Sequence, residues 1–556
     1  ELKVQGNRFL LNDRPIMLRG THDAGLFPLT GYPAMDKASW SKIFERCKQF
    51  GLNHMRFHSW CPPEAAFQAA DELGIYLQVE GPFNCKLGDG EPVDSYLREE
   101  MVRILNTYGN HPSFMFMSHG NEPYGENKDK LLAQEVLYWK QTDPRHLYTA
   151  GSGWPMLDEN DYHCNHTPRL QLWGEGLHSR INATPPNTMG DYSDLYKTYD
   201  RPMVIHEAGQ WCVYPNFEEI DKYKGVLKAR NFEIFKDFLG QNHMGHLAKA
   251  FLHASGRLQF QCYKEEIEHA LRTPGCAGFQ LLDIRDYSGQ GSALVGILDP
   301  FWDPKPYVSV GEWRKFCGPT IPLARMVKRV WTNAETMCAT VEVAHFGEAD
   351  LRDAMLMYHV EDGAGNILRQ GVLGCYCISV GNGTRVADIS IPLTELPVPA
   401  RYRLAVSIAG TAIRNDWDFW VFSNEIPCEV PSDVLVSRTF DGCALEYLRR
   451  GGKVLVVVDP KQLSSPVKIG FSSMFWNVAF TGNQAPHTLG LLCDPKHPLL
   501  RNFPTDFHSD WQWWWIIKNS VGLVIDTLPK EIEPIIRPID NWFYARRLSL
   551  LFEARV

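Results

Sequence analysis

Three glutamates, Glu80, Glu122 and Glu207, each follow a short apolar run that is typical of a buried strand. Two such carboxyl groups facing one substrate can share acid–base and nucleophilic chemistry. Retaining hydrolysis of a glycoside needs a pair about 5 to 5.5 Å apart, one protonated to release the leaving oxygen and one ionised to attack the anomeric carbon. A single glutamate at a strand end is more often an ion-pair partner, but two of them favour catalysis.

The residues beside these glutamates fit the same chemistry. Asn121 precedes Glu122, and its amide suits a hydrogen bond to the sugar 2-hydroxyl, a contact that strengthens in the transition state. His119 and His206 also adjoin the glutamates, but histidines at strand ends are often hydrogen-bonded scaffold. These two histidines do not form a metal-ligand set with each other at any standard spacing.

Other strand ends carry weaker candidates for sugar binding. His22 and Asp23 come just past the first predicted strand and could bond sugar hydroxyls, although capping a loop is an equally good interpretation. For Trp60 and Trp211, stacking on a sugar face and ordinary packing are equally favoured. Asp283 and a second aspartate three residues later flank the last strand of the series, and at least one of them is predicted to be structural.

The elements that must position these residues are repeated βα units. Residues 1–317 alternate short apolar runs with amphipathic segments, which favours a closed (β/α)₈ TIM barrel with its site at the C-terminal ends of the strands. An open doubly wound sheet is the alternative, but the first strand is not followed by a glycine-rich nucleotide turn. The predicted strands are 16–20, 53–58, 75–80, 114–118, 203–206 and 277–282, and the predicted helices include 39–50 and 63–73.

Two further domains are predicted after the barrel, so the fold class is multidomain α/β. Residues 318–428 alternate apolar and polar positions between turns, which predicts an Ig-like β-sandwich. Residues 429–556 predict a C-terminal α/β domain, left open to being incomplete, in which a helix over 444–448 leads into a buried strand over 454–458. The run Trp511–Trp515 favours buried or interdomain packing over a carbohydrate platform.

The composition argues against several classes of partner. The chain has 556 residues and a net charge of −9, without the basic cluster of a nucleic-acid-binding protein. No apolar run reaches the roughly 18 residues that cross a membrane. The 14 cysteines lack paired spacing, which predicts free thiols. The start at Glu1 has neither Met nor a leader pattern, so we expect a fragment. We favour a periplasmic or extracellular location in a bacterium over the cytoplasm.

Two motifs in combination resemble a known group of enzymes. Asn121-Glu122-Pro123 and His206-Glu207-Ala208-Gly209 are similar to the strand-four and strand-seven motifs of a glycoside hydrolase clan of (β/α)₈ barrels. Across residues 1–317 the chain resembles glycoside hydrolase family 2, which holds β-galactosidases, β-glucuronidases and β-mannosidases; the similar stretches are 6–20, 51–56, 71–76 and 289–303. The resemblance implies Glu122 as acid/base, Glu207 as nucleophile and Arg56 as the charge that keeps Glu207 ionised.

The sequence departs from that family at several positions. After Arg56, β-galactosidases usually have Ser-His, whereas this chain has His58-Ser59. Glu80 is not followed two residues later by the histidine of the family's magnesium site, so neither a metal nor a cofactor is predicted. Leu282 replaces the expected Trp before Asp283, and the Asn and Lys of β-glucuronidases are not evident. Arg56, His58 and Glu80 stay as substrate-binding candidates, but the sugar is not fixed.

The sequence therefore predicts a retaining exo-glycosidase that acts on an oligosaccharide or glycoside with a terminal β-galactoside-like sugar. α-L-Arabinopyranosides and β-glucuronides are alternatives within the same mechanism. A barrel that binds carbohydrate without turnover is an alternative from another class, because the N-terminal β-sandwich usual in the family is not found. A nucleotide-dependent enzyme would need a phosphate loop, and none is found. No nucleic acid or membrane partner is expected, and homo-oligomer formation is left open.

Overall fold

The computed structural model describes residues 1–82, 84–425, 429–476 and 485–555. A small antiparallel sheet comes first, with β1 (Leu2–Gln5), β2 (Arg8–Leu11) and β3 (Arg14–Ile16) in that order. From this sheet, Phe9 packs edge-on against Phe116 and Tyr162, whose rings belong to the barrel. The sheet therefore packs against the barrel with its own small apolar cluster.

A ring of short parallel strands forms the barrel, as predicted. The order is β8-β7-β6-β5-β4-β12-β11-β10-β9. β8 pairs with β7 at one end of this order, and β9 pairs with β10 at the other end. Because only two residues separate β8 from β9, these two pieces act as one interrupted strand that nearly closes the ring. The strands are β4 (Leu18–Asp23), β5 (His54–Phe57), β6 (Tyr76–Glu80), β7 (Phe114–Ser118), β8 (Leu147–Thr149), β9 (Ser152–Gly153), β10 (His163–Asn165), β11 (Met203–Ala208) and β12 (Gly278–Leu281).

Helices follow most of these strands and cover the ring. The helix predicted over 39–50 is confirmed: Trp40, Phe44 and Cys47 recur three or four residues apart and are buried, and Asp36 caps the start by accepting from Ser39 N. The helices of the barrel are α1 (Lys37–Gln49), α2 (Glu64–Leu73), α3 (Pro92–Tyr108), α4 (Lys128–Thr142), α5 (Arg180–Ala183), α6 (Ser193–Tyr196), α7 (Arg230–Gln241), α8 (Ala248–Arg272) and α9 (Val310–Trp313).

The next domain consists of two sheets around a separate apolar core. One sheet has the order β13-β15-β18 and the other β14-β20-β19-β16-β17. This two-sheet β domain packs on α8, where Glu268 accepts from the Trp417 indole and the Asn415 amide; its immunoglobulin-like topology stays a prediction. The strands are β13 (Thr320–Arg325), β14 (Val330–Thr332), β15 (Thr336–His345), β16 (Leu351–Asp362), β17 (Ile367–Ile378), β18 (Arg385–Pro392), β19 (Ala400–Ile408) and β20 (Arg414–Phe422).

The last domain combines one α/β unit with two small antiparallel sheets, β23-β25-β27 and β24-β26-β28. The prediction of a buried strand over 454–458 is wrong, because Leu455, Val457 and Val458 are 41 to 45% exposed. The strand itself, Lys453–Val456, lies in a sheet of only two strands. Trp511, Trp513 and Trp514 are buried, as the packing interpretation requires. The elements are β21 (Val434–Ser437), α10 (Gly442–Arg449), β22 (Lys453–Val456), β23 (Pro466–Lys468), β24 (Thr488–Cys493), α11 (Trp514–Ile517), β25 (Val521–Val524), β26 (Pro534–Asp540), β27 (Leu548–Ser549) and β28 (Leu551–Phe552).

In the ranges that the structure describes, no helix has the length and apolar character needed to span a membrane.

Candidate active site

Four strands of the barrel bring the main predicted residues together at one face. Arg56 lies on β5, Glu80 ends β6, Glu122 follows β7, and Glu207 lies near the end of β11. The C-terminal ends of the strands are the face on which barrels of this type carry catalytic groups. The hydrogen bonds and ion pairs among these side chains show that they form one cluster.

The carboxylates of Glu122 and Glu207 form a close pair in two different environments. One oxygen of each lies within 4.8 Å of the other. This separation is close to that of a retaining pair, about 5 to 5.5 Å, and shorter than that of an inverting pair, roughly 6.5 to 9.5 Å. Burial, together with the negative charge of Glu207, raises the pKa of Glu122 to about 7. Glu122 therefore holds a proton at mildly acidic pH, whereas Glu207 contacts a guanidinium.

That guanidinium belongs to Arg56, whose side chain is completely buried. Its Nε donates to Glu80 Oε1 at 2.6 Å, and its Nη1 donates to Glu207 Oε1 at 3.1 Å. Its Nη2 donates to Asn121 Oδ1 at 2.6 Å, which leaves the NH₂ group of Asn121 as a donor for another partner. Burial would raise the pKa of Glu80, but the charge and hydrogen bonds of Arg56 outweigh this effect and lower that pKa. Glu80 is therefore an ionised carboxylate that holds Arg56 in place.

The backbone at both glutamates lies in the left-handed region, with φ of +45° at Glu122 and +48° at Glu207. Such a conformation costs a residue with a Cβ on the order of 1–3 kcal/mol and occurs preferentially at functional sites. At Glu207 it accompanies an irregular register between Ile205 and Ala208. His206 lies in this irregular stretch and also faces the site, with Nε2 3.5 Å from Glu207 Oε1 and 3.7 Å from Glu122 Oε1.

Gly153 leaves the room that Glu122 occupies, and a methyl group there is expected to reduce turnover. A Cβ on Gly153 would lie 2.9 Å from Glu122 Cγ, and the backbone has φ of +93°. Because small displacements of a reacting group are costly, we expect Gly153→Ala to lower kcat by about tenfold or more. Gly74→Ala is the matched control in steady-state kinetics, since Gly74 also has a positive φ but no atom within 4 Å of the added Cβ. Equal kcat values in the two variants would contradict this role of Gly153.

Sequence reasoning missed the roles of three further residues at this site. Arg169 Nη1 and Gln210 Nε2 both donate to the backbone oxygen of Glu207, at 2.9 and 3.1 Å. Arg169 lies four residues after β10, a strand absent from the predicted series, so no predicted strand end pointed to it. His206 was treated as scaffold. Burial and the charges of Arg56 and Arg169 hold its pKa well below the usual value, so it is a neutral ring beside both carboxylates.

His22 and His58 lie together beside the nucleophile candidate. Their ring centroids are 5.4 Å apart, and His58 Nε2 is 3.6 Å from Glu207 Oε1. Burial lowers the pKa of both histidines; the charge of Arg56 adds to this at His58, and the nearby His58 adds to it at His22. The structure thus brings both predicted histidines to the site as neutral groups with hydrogen-bonding nitrogens.

The remaining candidates are engaged in structural contacts. Asp23 bonds Arg285 Nη2 at 2.8 Å and Gly25 N at 2.7 Å. Asp283 is buried, its Oδ1 accepts from the Arg285 backbone, and burial raises its pKa to about 8. Trp60 is half-buried and donates to Asp23 O at 2.8 Å. Trp211 is 1% exposed, so its ring offers no open face for stacking on a sugar.

The sequence predicts no metal ion, and one group of possible ligand side chains bears on that prediction. Within the described residues, ligand atoms of Glu122, His206 and Glu207 all lie within 4.8 Å of one another. Neutral histidine and carboxylate are ligands that zinc accepts. However, the Arg56 guanidinium lies 3.1 Å from Glu207, and a positive charge at that distance opposes a cation. The absence of a metal stays a prediction.

A parallel βα barrel with a carboxylate pair at its C-terminal face has the architecture of barrel glycoside hydrolases. Residues 2–212, which include both glutamates of the pair, match the family model described as "Glycosyl hydrolases family 2, TIM barrel domain". The barrel is therefore similar to glycoside hydrolase family 2 over residues 2–212, which confirms the resemblance. Residues 335–423 and 435–556 match "Domain of unknown function (DUF8488)" and "Domain of unknown function (DUF8487)".

The curated relatives fall into two groups by name. A "Putative beta-glucuronidase" of Formosa agariphila is 26% identical over 272 residues, covering 48% of this chain and 28% of that protein. A "Beta-galactosidase" of Vibrio cholerae is 29% identical over 206 residues, covering 35% of this chain and 19% of that protein. This chain thus matches less than a third of the length of either relative.

Solved structures show only a loose likeness. The apo structure of Bacteroides uniformis beta-glucuronidase 3 has 15% identity and a TM-score of 0.40, covering 76% of this chain and 51% of that chain. A GH2 beta-galacturonidase from Eisenbergiella tayi, bound to galacturonate, has 15% identity and a TM-score of 0.41, covering 55% and 52%. Likenesses at this level support no conclusion about the substrate.

Proposed function

We propose that this chain carries the catalytic barrel of a retaining exo-glycosidase, with Glu122 as acid/base and Glu207 as nucleophile. The observation that carries the proposal is the close carboxylate pair in unequal surroundings. Glu122 is partly buried, has no direct cationic partner among the described residues, and has its pKa raised to about 7, whereas Glu207 accepts from Arg56. Pairs of carboxyl groups whose environments separate their protonation in this way are typical of retaining glycosidases.

The geometry supports a double displacement. The Glu207 carboxylate attacks the anomeric carbon while protonated Glu122 gives its proton to the departing oxygen, so the glycosidic bond breaks as the ester bond to Glu207 forms. Glu122, now ionised, then removes a proton from water, which hydrolyses the ester and restores both groups. Asn121 has its amide oxygen bonded to Arg56, so its NH₂ group is oriented to bond the 2-hydroxyl.

For the sugar, we propose a terminal β-galactoside-like residue first, with α-L-arabinopyranosides as close analogues that lack the C6 group. The β-galactosidase names among the relatives support this choice. A β-glucuronide is the second candidate, supported by the Formosa agariphila relative and by Arg169. The Nε of Arg169 has no hydrogen-bond partner among the described residues, and its charge lies near both glutamates, as recognition of a uronate would require.

Turnover of aryl β-D-galactoside, α-L-arabinopyranoside, β-D-glucuronide and β-D-mannoside tests these proposals together. Turnover of one glycoside by the wild type, lost in Glu207→Ala, supports the mechanism and identifies the sugar. Saturable binding of the same glycans without turnover would instead support a carbohydrate-binding barrel. If the wild type prefers the glucuronide, and Arg169→Met lowers turnover of the glucuronide more strongly than turnover of the galactoside, the second candidate is favoured.

The pKa of Glu122 predicts an alkaline limit to activity. Glu122 must be protonated to assist the leaving group, so kcat/KM is expected to fall as the pH rises through about 7. A 2,4-dinitrophenyl glycoside needs no such proton, and its kcat/KM should lack this limb. The measurement is a pH profile with that substrate and with a poor leaving group on the wild type. The same alkaline limb for both substrates would show that another group is titrating.

A further inference from the structure

A short segment of the last domain lies buried against the loops of the barrel. We call residues 469–476 the docking segment; its apolar side chains Phe471 and Met474 are at most 2% exposed. Ser472 fixes it to the barrel, since its Oγ accepts from Asn182 Nδ2 at 2.7 Å and its backbone N donates to Asn182 Oδ1 at 3.2 Å. The docking segment is therefore buried and hydrogen-bonded to Asn182 of α5 in the barrel.

The end of the docking segment reaches the loop that follows Glu207. Phe475 forms an antiparallel backbone bridge with Trp211. The next residue, Trp476, donates from its indole Nε1 to Gln210 Oε1 at 2.9 Å. Gln210 in turn donates from Nε2 to the backbone oxygen of Glu207 at 3.1 Å. A chain of two hydrogen bonds thus runs from the last domain to the backbone of the nucleophile.

This part of the backbone needs external support. Glu207 has φ of +48° and Gln210 has φ of +66°, conformations that persist only when surrounding contacts fix them. The carbonyl of Glu207 has two donors, Arg169 from the barrel and Gln210. Gln210 is the weaker of the two supports, because its neutral amide can rotate whereas the buried guanidinium carries a full charge.

The indole of Trp476 removes that freedom. An amide has one donor end and one acceptor end, and a rotation of 180° would turn the Gln210 oxygen towards the Glu207 carbonyl, where two acceptors repel. The indole N–H can only donate, so it selects the orientation in which the Gln210 oxygen faces Trp476 and the NH₂ group faces Glu207. Trp476 therefore fixes the one orientation of Gln210 that supports the nucleophile.

We propose that Trp476 is a positioning residue for Glu207, acting through Gln210, and that the C-terminal domain of unknown function thereby forms part of the catalytic centre. This inference rests on the proposed function, because it requires Glu207 to be the nucleophile. It gives the last domain a defined task in the reaction of the barrel, performed by a residue 266 positions after Gln210.

Trp476→Phe tests the inference, since it retains an aromatic ring and loses the donor. We expect kcat, and the rate constant for inactivation by a 2-deoxy-2-fluoro glycoside that traps the nucleophile, to fall roughly three- to tenfold, as for one hydrogen bond. KM and the inactivator's dissociation constant should stay within twofold. Trp513→Phe is the matched control, because it also removes a partly buried indole hydrogen bond, here to Thr505 Oγ1 at 2.7 Å, that involves neither Gln210 nor Glu207.

A double-variant cycle adds a readout that a merely structural role would not move. Gln210→Met removes both ends of the amide, so adding Trp476→Phe to it should not lower kcat further. If Glu207→Ala abolishes turnover but Trp476→Phe matches Trp513→Phe, the positioning role is wrong and the proposed function stands. An increase in KM with unchanged kcat would assign Trp476 to substrate binding instead. If the wild type turns over none of the glycosides while Glu207 is not labelled, both proposals fail.

Discussion

Glu207→Ala is expected to lower kcat/KM by about 10⁴-fold or more, and sodium azide is expected to restore turnover. Without the carboxylate no ester to the anomeric carbon can form, so the step that Arg56 and Glu122 support has no nucleophile. Azide fits the vacated space on the same face of the sugar and attacks directly. The product from a β-glycoside should therefore be the α-glycosyl azide, which proton NMR identifies from its anomeric coupling.

Glu122→Ala is the matched variant for this experiment. With an activated aryl β-glycoside it should still form the ester to Glu207, and azide should then attack the intermediate from the side that Glu122 had occupied. The product is expected to be the β-glycosyl azide, of opposite configuration to that from Glu207→Ala. The same anomer from both variants, or wild-type turnover by Glu207→Ala, would refute the assignment of the two roles.

The residues of the carboxylate pair could be identified from the sequence because their signals are local. Glu80, Glu122 and Glu207 each follow an apolar run, and parallel strands of a barrel end at the same face. The helix over 39–50 was likewise visible in its own spacing of apolar residues, with Phe50 and Gly51 at its end. Where one segment contains both the pattern and its structural consequence, sequence reasoning succeeds.

The features that it missed depend on contacts between distant segments. The left-handed backbone at Glu207 has no local signal, since the residue is not glycine, and it is supported by Arg169 and Gln210. Trp211 was considered as a sugar platform, but the docking segment pairs with its backbone and its ring is buried. The apolar run 454–458 predicts a buried strand, yet the strand that forms, Lys453–Val456, lies in a sheet of only two strands.

Arg56→Met is expected to remove both stability and activity, because one buried guanidinium serves two buried or partly buried carboxylates. Glu80 is completely buried, and removing the partner of a buried charge typically costs about 3–5 kcal/mol of unfolding free energy. Glu207 and Asn121 lose their orienting donors at the same time. We expect kcat/KM per folded molecule to fall roughly 10²–10⁴-fold, measured with urea unfolding and steady-state kinetics.

Two further variants separate the effects on stability and activity. Arg272 is an equally buried arginine that pairs with Glu265 and Glu268 on α8, so Arg272→Met should cost similar stability while the folded fraction retains wild-type kcat/KM. Adding Glu80→Gln to Arg56→Met removes the uncompensated charge, so stability should largely return. Activity should not return with it, because the Glu207 carboxylate and the Asn121 amide both still lack the donor that orients them. If activity recovers in proportion to stability, Arg56 acts only on the fold, and the electrostatic part of the mechanism is wrong.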